Sequence, residues 1–257
     1  MIRVLFLGTG GGRFNLISQL RRTAGFCIQG PLNFYVDPGP GSLAACKEFS
    51  LDPRSMDALV VSHNHIDHTN DAGLIAEAMS DYSRKRRGWL IGSESVIDGD
   101  ENGDKGITRY HQKKISHVRR AAHGKKIAIR KGSARATLTP FPVRHEDKTG
   151  FGFVLEMGGK RIGYTSDTEY YAGISRHYSG CDILIANNLK AGDDGVPGHL
   201  HSATTARLLS EAKPKLAILT HMGRRLILAS PSREAKRIGK LSGVKSIPAE
   251  DGMEITL

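Results

Sequence analysis

The chain has 257 residues, 37 Lys and Arg against 26 Asp and Glu, and a formal charge of +11. That length suits one domain with a substantial core; no stretch approaches the roughly 20 apolar residues that span a bilayer, and residues 1–7 lack a signal-peptide pattern, so a soluble, cytoplasmic protein without membrane partners is predicted. Cys27, Cys46 and Cys181 are odd in number and widely spaced, which excludes a disulfide framework and a Cys-x-x-Cys metal site and leaves buried free thiols.

Ile2–Leu7 reads as a strand closed by the glycine-rich Gly8-Thr9-Gly10-Gly11-Gly12, which has neither a following Lys-Ser/Thr nor the Gly-x-Gly-x-x-Gly spacing of nucleotide binders. Ala24–Gln29 and Asn33–Val36 predict a hairpin around Gly30-Pro31 that delivers Asp37. Ser42 can cap a short helix through Phe49. Met56–Val61 is the next strand, and it runs into Ser62-His63-Asn64-His65-Ile66-Asp67-His68. Three imidazoles and a carboxylate in six residues point to metal chemistry. Residues two apart in extended backbone face the same way, so His63 and His65 can converge on one ion while Asp67 and His68 address a second as the chain turns.

A helix is predicted from Asp71, with Leu74, Ile75, Ala78 and Met79 on its apolar face, running into Arg84-Lys85-Arg86-Arg87. Between Arg84 and Arg135 stand 15 Lys and Arg against 5 Asp and Glu, so a basic insertion at about 84–135 is predicted to carry nearly all the excess charge. Arg84, Arg86, Arg87, Lys113, Lys114, Arg119 and Arg120 are its candidate nucleic-acid contacts. The competing readings are a solvated face, helix-dipole compensation by the first cluster, and contact with a second copy in a homodimer. Within the segment, Trp89–Ile91 reads as a strand and Asp98–Asp104 as a solvated turn, because the register and terminal Glu of a calcium loop are missing.

Lys126–Ile129 and Thr137–Phe141 read as strands, the latter presenting His145. Phe151–Leu155 and Arg161–Tyr164 pair across Gly158-Gly159 and end at Asp167; a helix is predicted from Glu169 to His177. Ile183–Ala186 is a buried run. A glycine and aspartate loop then leads to His199-Leu200-His201, followed by a helix from Ala203 to Ala212 with Ser202 as its cap. Leu216–Thr220 delivers His221. A basic helix over Ser232–Leu241 and strands near Val244–Ile247 and Met253–Thr256 are predicted to close the second half.

These motifs, in this order, resemble those of the metallo-β-lactamase superfamily of hydrolases, and Leu7-Gly8-Thr9-Gly10 resembles the opening of its RNase Z and phosphodiesterase-like branch. The resemblance runs through almost the whole chain. It implies an α/β fold, a four-layer αβ/βα sandwich. It also implies two divalent metal ions, one held by His63, His65 and His145 and the other by Asp67, His68 and His221, with Asp167 bridging. Nitrogen and oxygen donors suit zinc, with manganese or iron as alternatives. Asp37 would hydrogen-bond a ligand imidazole and fix its tautomer.

Asp67 and His199 are the expected catalytic residues, with His201 close enough to compete for the second role. In RNase Z a tRNA-clamping arm lies between the residues matching His145 and Asp167, and here only a hairpin fits. The function expected is therefore a dinuclear phosphodiesterase or nuclease acting on RNA or single-stranded DNA through a metal-bound hydroxide. The alternatives are a hydrolase of a small ester, lactone, thioester or β-lactam, and a nucleic-acid-binding protein with a structural metal site.

Overall fold

The computed structural model describes residues 1–257. In chain order the strands are β1 (Arg3–Phe6), β2 (Phe26–Gln29), β3 (Phe34–Val36), β4 (Ala58–Val61), β5 (Arg87–Gly92), β6 (Ile115–Arg120), β7 (Ile127–Lys131), β8 (Ala134–Pro142), β9 (Phe151–Met157), β10 (Lys160–Tyr164), β11 (Ile183–Lys190), β12 (Leu200–His201), β13 (Leu216–Thr220), β14 (Ser246–Pro248) and β15 (Glu254–Thr256). One sheet has the order β15-β1-β2-β3-β4-β5-β6. The other runs β14-β13-β11-β10-β9-β8-β7, with β12 paired to β11.

Most of these strands are apolar at successive positions because both faces of each sheet are covered. Val4, Phe6, Val60 and Ile91 of the first sheet share a core with Leu138, Phe153, Ile183 and Ile185 of the second. The alternate residues Leu5, Leu59, Val61 and Leu90 pack outward with Ala45, Ile75, Ala76 and Met79 of helices Ser42–Glu48 and Ala72–Met79. On the other side, Leu184, Ala186 and Leu219 pack with Leu208, Leu209 and Ile238 of helices Ser202–Ala212 and Pro231–Ser242. The layers are thus helix, sheet, sheet, helix, as predicted. Each fully buried aliphatic or aromatic side chain contributes about 1.5–3 kcal/mol of transfer free energy to this arrangement.

Several expectations need correction. β15 does not close the second half: it pairs antiparallel with β1, so the chain end returns to the first sheet. The predicted Glu169–His177 helix is confined to Ile174–Tyr178. The Glu169 N–H donates to the Arg144 carbonyl instead, and its carboxylate accepts from the Gly198 N–H. The cap of helix Ser202–Ala212 is His201, paired with Thr204, and Ser202 is its first residue. Helices Gly12–Ser18 and Arg224–Ala229 were not anticipated.

The basic segment expected as an insertion is built into both sheets. It supplies β5, β6, β7 and the start of β8. Many of its charges have structural partners: Arg87 and Lys131 both reach the buried Asp57, Arg86 donates to the Ile115 carbonyl, and Arg120 pairs with Asp98 at 3.2 Å. Arg84, Lys114 and Arg119 lie over Tyr82, Tyr110 and Trp89. β6 and β7 are the terminal strands of the two sheets, and exposed Arg and Lys on such edges oppose pairing with another copy. Replacing Arg119, Arg120 and Arg130 with Thr should change stability by no more than about 0.5 kcal/mol per site. Self-association should rise, as read by sedimentation velocity across a concentration series; a variant that stays as dispersed as the parent would remove this account of the charge.

Candidate metal centre

All the predicted ligands leave the sheets at one edge. β3 and β4 are parallel in the first sheet, and β10, β11 and β13 are parallel in the second, so their C-terminal ends coincide. β8 is antiparallel to β9 and β9 to β10, which sends β8 the same way. Asp37, Ser62, His145, Asp167 and His221 lie just beyond strand ends. After β4 the chain bends at His63 and Asn64, and the short helix Ile66–Thr69 then turns Asp67 and His68 back toward the edge.

The side chains converge. The donor atoms of His63, His65 and His145 lie within 4.8 Å of one another, as do those of Asp67, His68 and His221. His145 Nε2 is 3.0 Å from His65 Nδ1, and His68 Nε2 is 3.1 Å from His221 Nε2. Asp167 lies between the groups: its Oδ2 is 3.6 Å from His68 Nε2 and 4.0 Å from His63 Nε2, while its Oδ1 is 3.3 Å from His221 Nδ1.

On three of the rings the opposite nitrogen is engaged in a way that fixes this presentation. His68 Nδ1 is 2.9 Å from Asp37 Oδ2, His145 Nδ1 is 2.9 Å from the Gly198 carbonyl, and His63 Nδ1 is 3.1 Å from Ser62 Oγ. Gly198 holds its carbonyl there with φ +78°, a conformation favoured by glycine. At Gly11 a Cβ would stand 2.3 Å from the His221 ring, and the next N–H, of Gly12, donates to Asp67 Oδ2 at 3.2 Å. The glycine-rich loop is thus a cradle for Asp67 and His221.

The electrostatics follow from this crowding. Burial pushes the His63 imidazole well below its ordinary pKa, and the neighbouring His68 adds to the effect. Burial would also lower His68, but Asp67 and Asp37 outweigh it and hold it well above the ordinary value. Asp67 and Asp167 are buried, which opposes ionisation. The histidines around them win, and both carboxyls fall below the usual range. The donor set is therefore carboxylate oxygens and imidazole nitrogens packed at ligand spacing. His63 Nε2 is buried without a hydrogen-bond partner, as a nitrogen reserved for a cation would be. These residues fit divalent metal ions.

His199 and His201 separate cleanly. His199 Nδ1 is 3.5 Å from Asp167 Oδ2, its ring centroid is 4.9 Å from that of His145, and burial pushes its pKa down to about 4. His201 is the helix cap, with Nδ1 3.2 Å from the Gly192 carbonyl. It stands outside the cluster, so of the two competing histidines it is His199 that lies at the centre. A cleft of about 690 Å³ opens over the centre, lined by His65, Asp67, His145, Asp167 and His199 together with Arg13, Phe14, Lys190, Arg224 and Arg225. None of Arg84, Arg86, Arg87, Lys113, Lys114, Arg119 or Arg120 lines it.

The sequence matches the family model described as the beta-lactamase superfamily domain over residues 32–222, an interval that holds Asp37, every candidate ligand and His199. The chain belongs to the beta-lactamase superfamily. It is 36% identical to the uncharacterized protein MJ1374 of Methanocaldococcus jannaschii, over 100% of this chain and 95% of that one. It is 27% identical to the probable metallo-hydrolase YhfI of Bacillus subtilis, over 95% of this chain and 98% of that one. The crystal structure of the metallo-beta-lactamase fold protein YhfI superposes with a TM-score of 0.79 at 20% identity, covering 99% and 98% of the two chains. Human tRNase Z, short form, superposes with a TM-score of 0.68 at 16% identity, covering 99% and 98%. The fold of this superfamily member is therefore the metallo-β-lactamase fold.

Two residues that shape the centre went unnoticed in the sequence. Asn187 Nδ2 donates to Asp167 Oδ1 at 2.7 Å and lies 3.2 Å from the Tyr164 hydroxyl, which donates to Asp37 Oδ2 at 2.7 Å. The signal was available: Asn187 ends the apolar run Ile183–Ala186 just as Asp37, Asp167 and His221 follow theirs. Asn187→Ala should free the Asp167 carboxylate and weaken metal binding by roughly 10–100-fold with the fold retained. Competition against a chromophoric chelator measures this. Wild-type affinity in a variant with unchanged circular dichroism would show that Asn187 does not position Asp167.

Proposed function

We propose that this superfamily member is a dinuclear metal-dependent hydrolase of phosphodiester bonds, with RNA, single-stranded DNA or their short fragments as substrates. The observation that carries the reading is the convergence of two donor triads about Asp167 beneath a cleft rimmed by cations. His63, His65 and His145 would hold one ion and Asp67, His68 and His221 the other, with Asp167 shared. Their nitrogen and oxygen donors suit zinc, and manganese or iron can enter such a set. Two divalent ions held there supply Lewis acidity, which makes hydroxide available near neutral pH and stabilises negative charge developing on the substrate.

The chain's own residues supply the rest. Asp67 Oδ2 is held by the Gly12 N–H and lies 3.3 Å from His221 Nε2, on the cleft wall, where it accepts a hydrogen bond from the attacking water. His199 is held neutral by burial and lines the same cleft, where its ring N–H is placed to donate to the leaving oxygen. Hydrolysis as the reaction class is supported by the relative named probable metallo-hydrolase. Lys190, Arg224 and Arg225 favour an anionic substrate over a neutral ester, lactone, thioester or β-lactam. A purely structural metal site would not call for ligands on the wall of an open cleft.

Metal analysis of the purified protein should approach two equivalents, since seven ligands exceed what one tetrahedral ion uses. A single equivalent that added zinc cannot raise would count against the dinuclear centre. Asp67→Ala should lower hydrolysis of bis(p-nitrophenyl) phosphate and of RNA by more than about a hundredfold. Its circular dichroism should match the parent. Turnover of a β-lactam but of no phosphodiester by the zinc-loaded parent would overturn the substrate class.

A further inference from the structure

The cleft holds more positive charge than the reacting phosphate requires. A phosphodiester carries one negative charge, and two divalent ions held by Asp67, Asp167 and the imidazoles would balance it together with a hydroxide. Beyond them, Lys190, Arg224 and Arg225 line the cleft, and none has a carboxylate within 4 Å; Arg13 also lines it but is paired with Glu146 at 3.6 Å. Lys190 ends β11, and Arg224 and Arg225 open the helix Arg224–Ala229. The Gly223 N–H donates to the Leu189 carbonyl at 2.9 Å, which sets the start of that helix beside the end of β11. Gly12 seats against the Leu189 side chain, and the helix it begins carries Phe14 to the cleft. Phe14 is 80% exposed, so a large aromatic face beside three unpaired cations is left to solvent.

We infer that Lys190, Arg224 and Arg225 form a subsite for a second phosphate of the substrate, and that Phe14 is the platform on which an adjoining nucleobase stacks. The inference rests on the phosphodiesterase reading and names its substrate class: nucleotides or short oligonucleotides that carry a phosphate besides the one that is cleaved. Arginine forks suit phosphate oxygens, and stacking on an aromatic ring accepts any base. The cleft, at about 690 Å³, is of the size that encloses a small ligand rather than a duplex.

The test uses zinc-loaded full-length protein and ligands without a phosphodiester bond, so that binding is read apart from turnover. Isothermal titration calorimetry should show adenosine 3′,5′-bisphosphate binding roughly tenfold or more tighter than either adenosine 3′-monophosphate or adenosine 5′-monophosphate. Arg224→Ala combined with Arg225→Ala should erase that difference while leaving at least one monophosphate bound as in the parent. Phe14→Ala should weaken all three by roughly fivefold or more and preserve the difference. Equal binding of bisphosphate and monophosphates by the parent would overturn the subsite, as would an equal loss for all three ligands in the arginine variant. Loss of the bisphosphate preference alone in Phe14→Ala would overturn the stacking role. In parallel, the 5′-phosphorylated diadenylate should be cleaved with higher kcat/KM than the diadenylate without it, and the arginine variant should lose that advantage. If neither dinucleotide nor bis(p-nitrophenyl) phosphate is cleaved while the binding differences hold, the phosphodiesterase reading fails and the subsite stands.

Discussion

The buried carboxylate of Asp37 is the group on which the centre depends. It is only 2% exposed and accepts from the Ser62 N–H and hydroxyl, from His68 Nδ1 and from the Tyr164 hydroxyl, all at 2.7–2.9 Å. Taking an unpaired carboxylate out of water would cost several kcal/mol, so this position is tenable only because every donor arrives. Two donors come from the residue that follows β4, one from helix Ile66–Thr69 and one from β10 of the opposite sheet. A single carboxylate thereby ties the two sheets together at their active edge and points His68 Nε2 at its neighbours. Through Asn187, which bonds both Tyr164 and Asp167, the same network reaches the central carboxylate.

What the sequence revealed follows from how local each signal was. The ligands were legible because each ends a β-type run, and such runs in a covered sheet are dense in Val, Ile and Leu; His63 and His65 were legible from spacing alone. The layered architecture followed from the same runs. What stayed hidden depends on contacts between distant segments. Nothing near Met253–Thr256 shows that it pairs with β1, and nothing near Arg13, Lys190 or Arg224 shows that they share one cleft. Their meeting requires the Gly223–Leu189 hydrogen bond and the packing of Gly12 on Leu189. The glycine-rich loop concealed helix Gly12–Ser18 for the opposite reason, since glycines that allow close approach to His221 also read as a helix breaker.

Charge was the least specific quantity. The total of +11 pointed to a polyanion, and its concentration between Arg84 and Arg135 pointed to where that polyanion would lie. In the fold, that segment builds the outer strands of both sheets, and several of its cations are spent on Asp57, Asp98, backbone carbonyls and aromatic faces. The cations that face the centre are few and dispersed in sequence, and they are invisible to a window count. Net charge reports attraction, whereas placement and the lack of a partner decide recognition.

The backbone at the site carries a further consequence. Asp37, Ser166 and His221 adopt φ of +51°, +54° and +56°, the left-handed region that costs a non-glycine residue about 1–3 kcal/mol each. All three lie just past strand ends, where a sharp turn swings a side chain back under the sheet edge. That strain comes on top of two buried carboxylates, Asp37 and Asp167, and the half-buried Asp67, gathered around the one imidazole, His68, that is held above its ordinary pKa. Hydrogen bonds satisfy Asp37 from several sides, but Asp67 and Asp167 turn oxygens toward the cluster of imidazoles. Cations bound there would relieve carboxylate repulsion and engage nitrogens such as His63 Nε2, so their binding energy would be drawn partly into holding a strained edge in place. The metals would then be structural as well as chemical partners of this fold, and the rigidity of the cleft above them would depend on their presence.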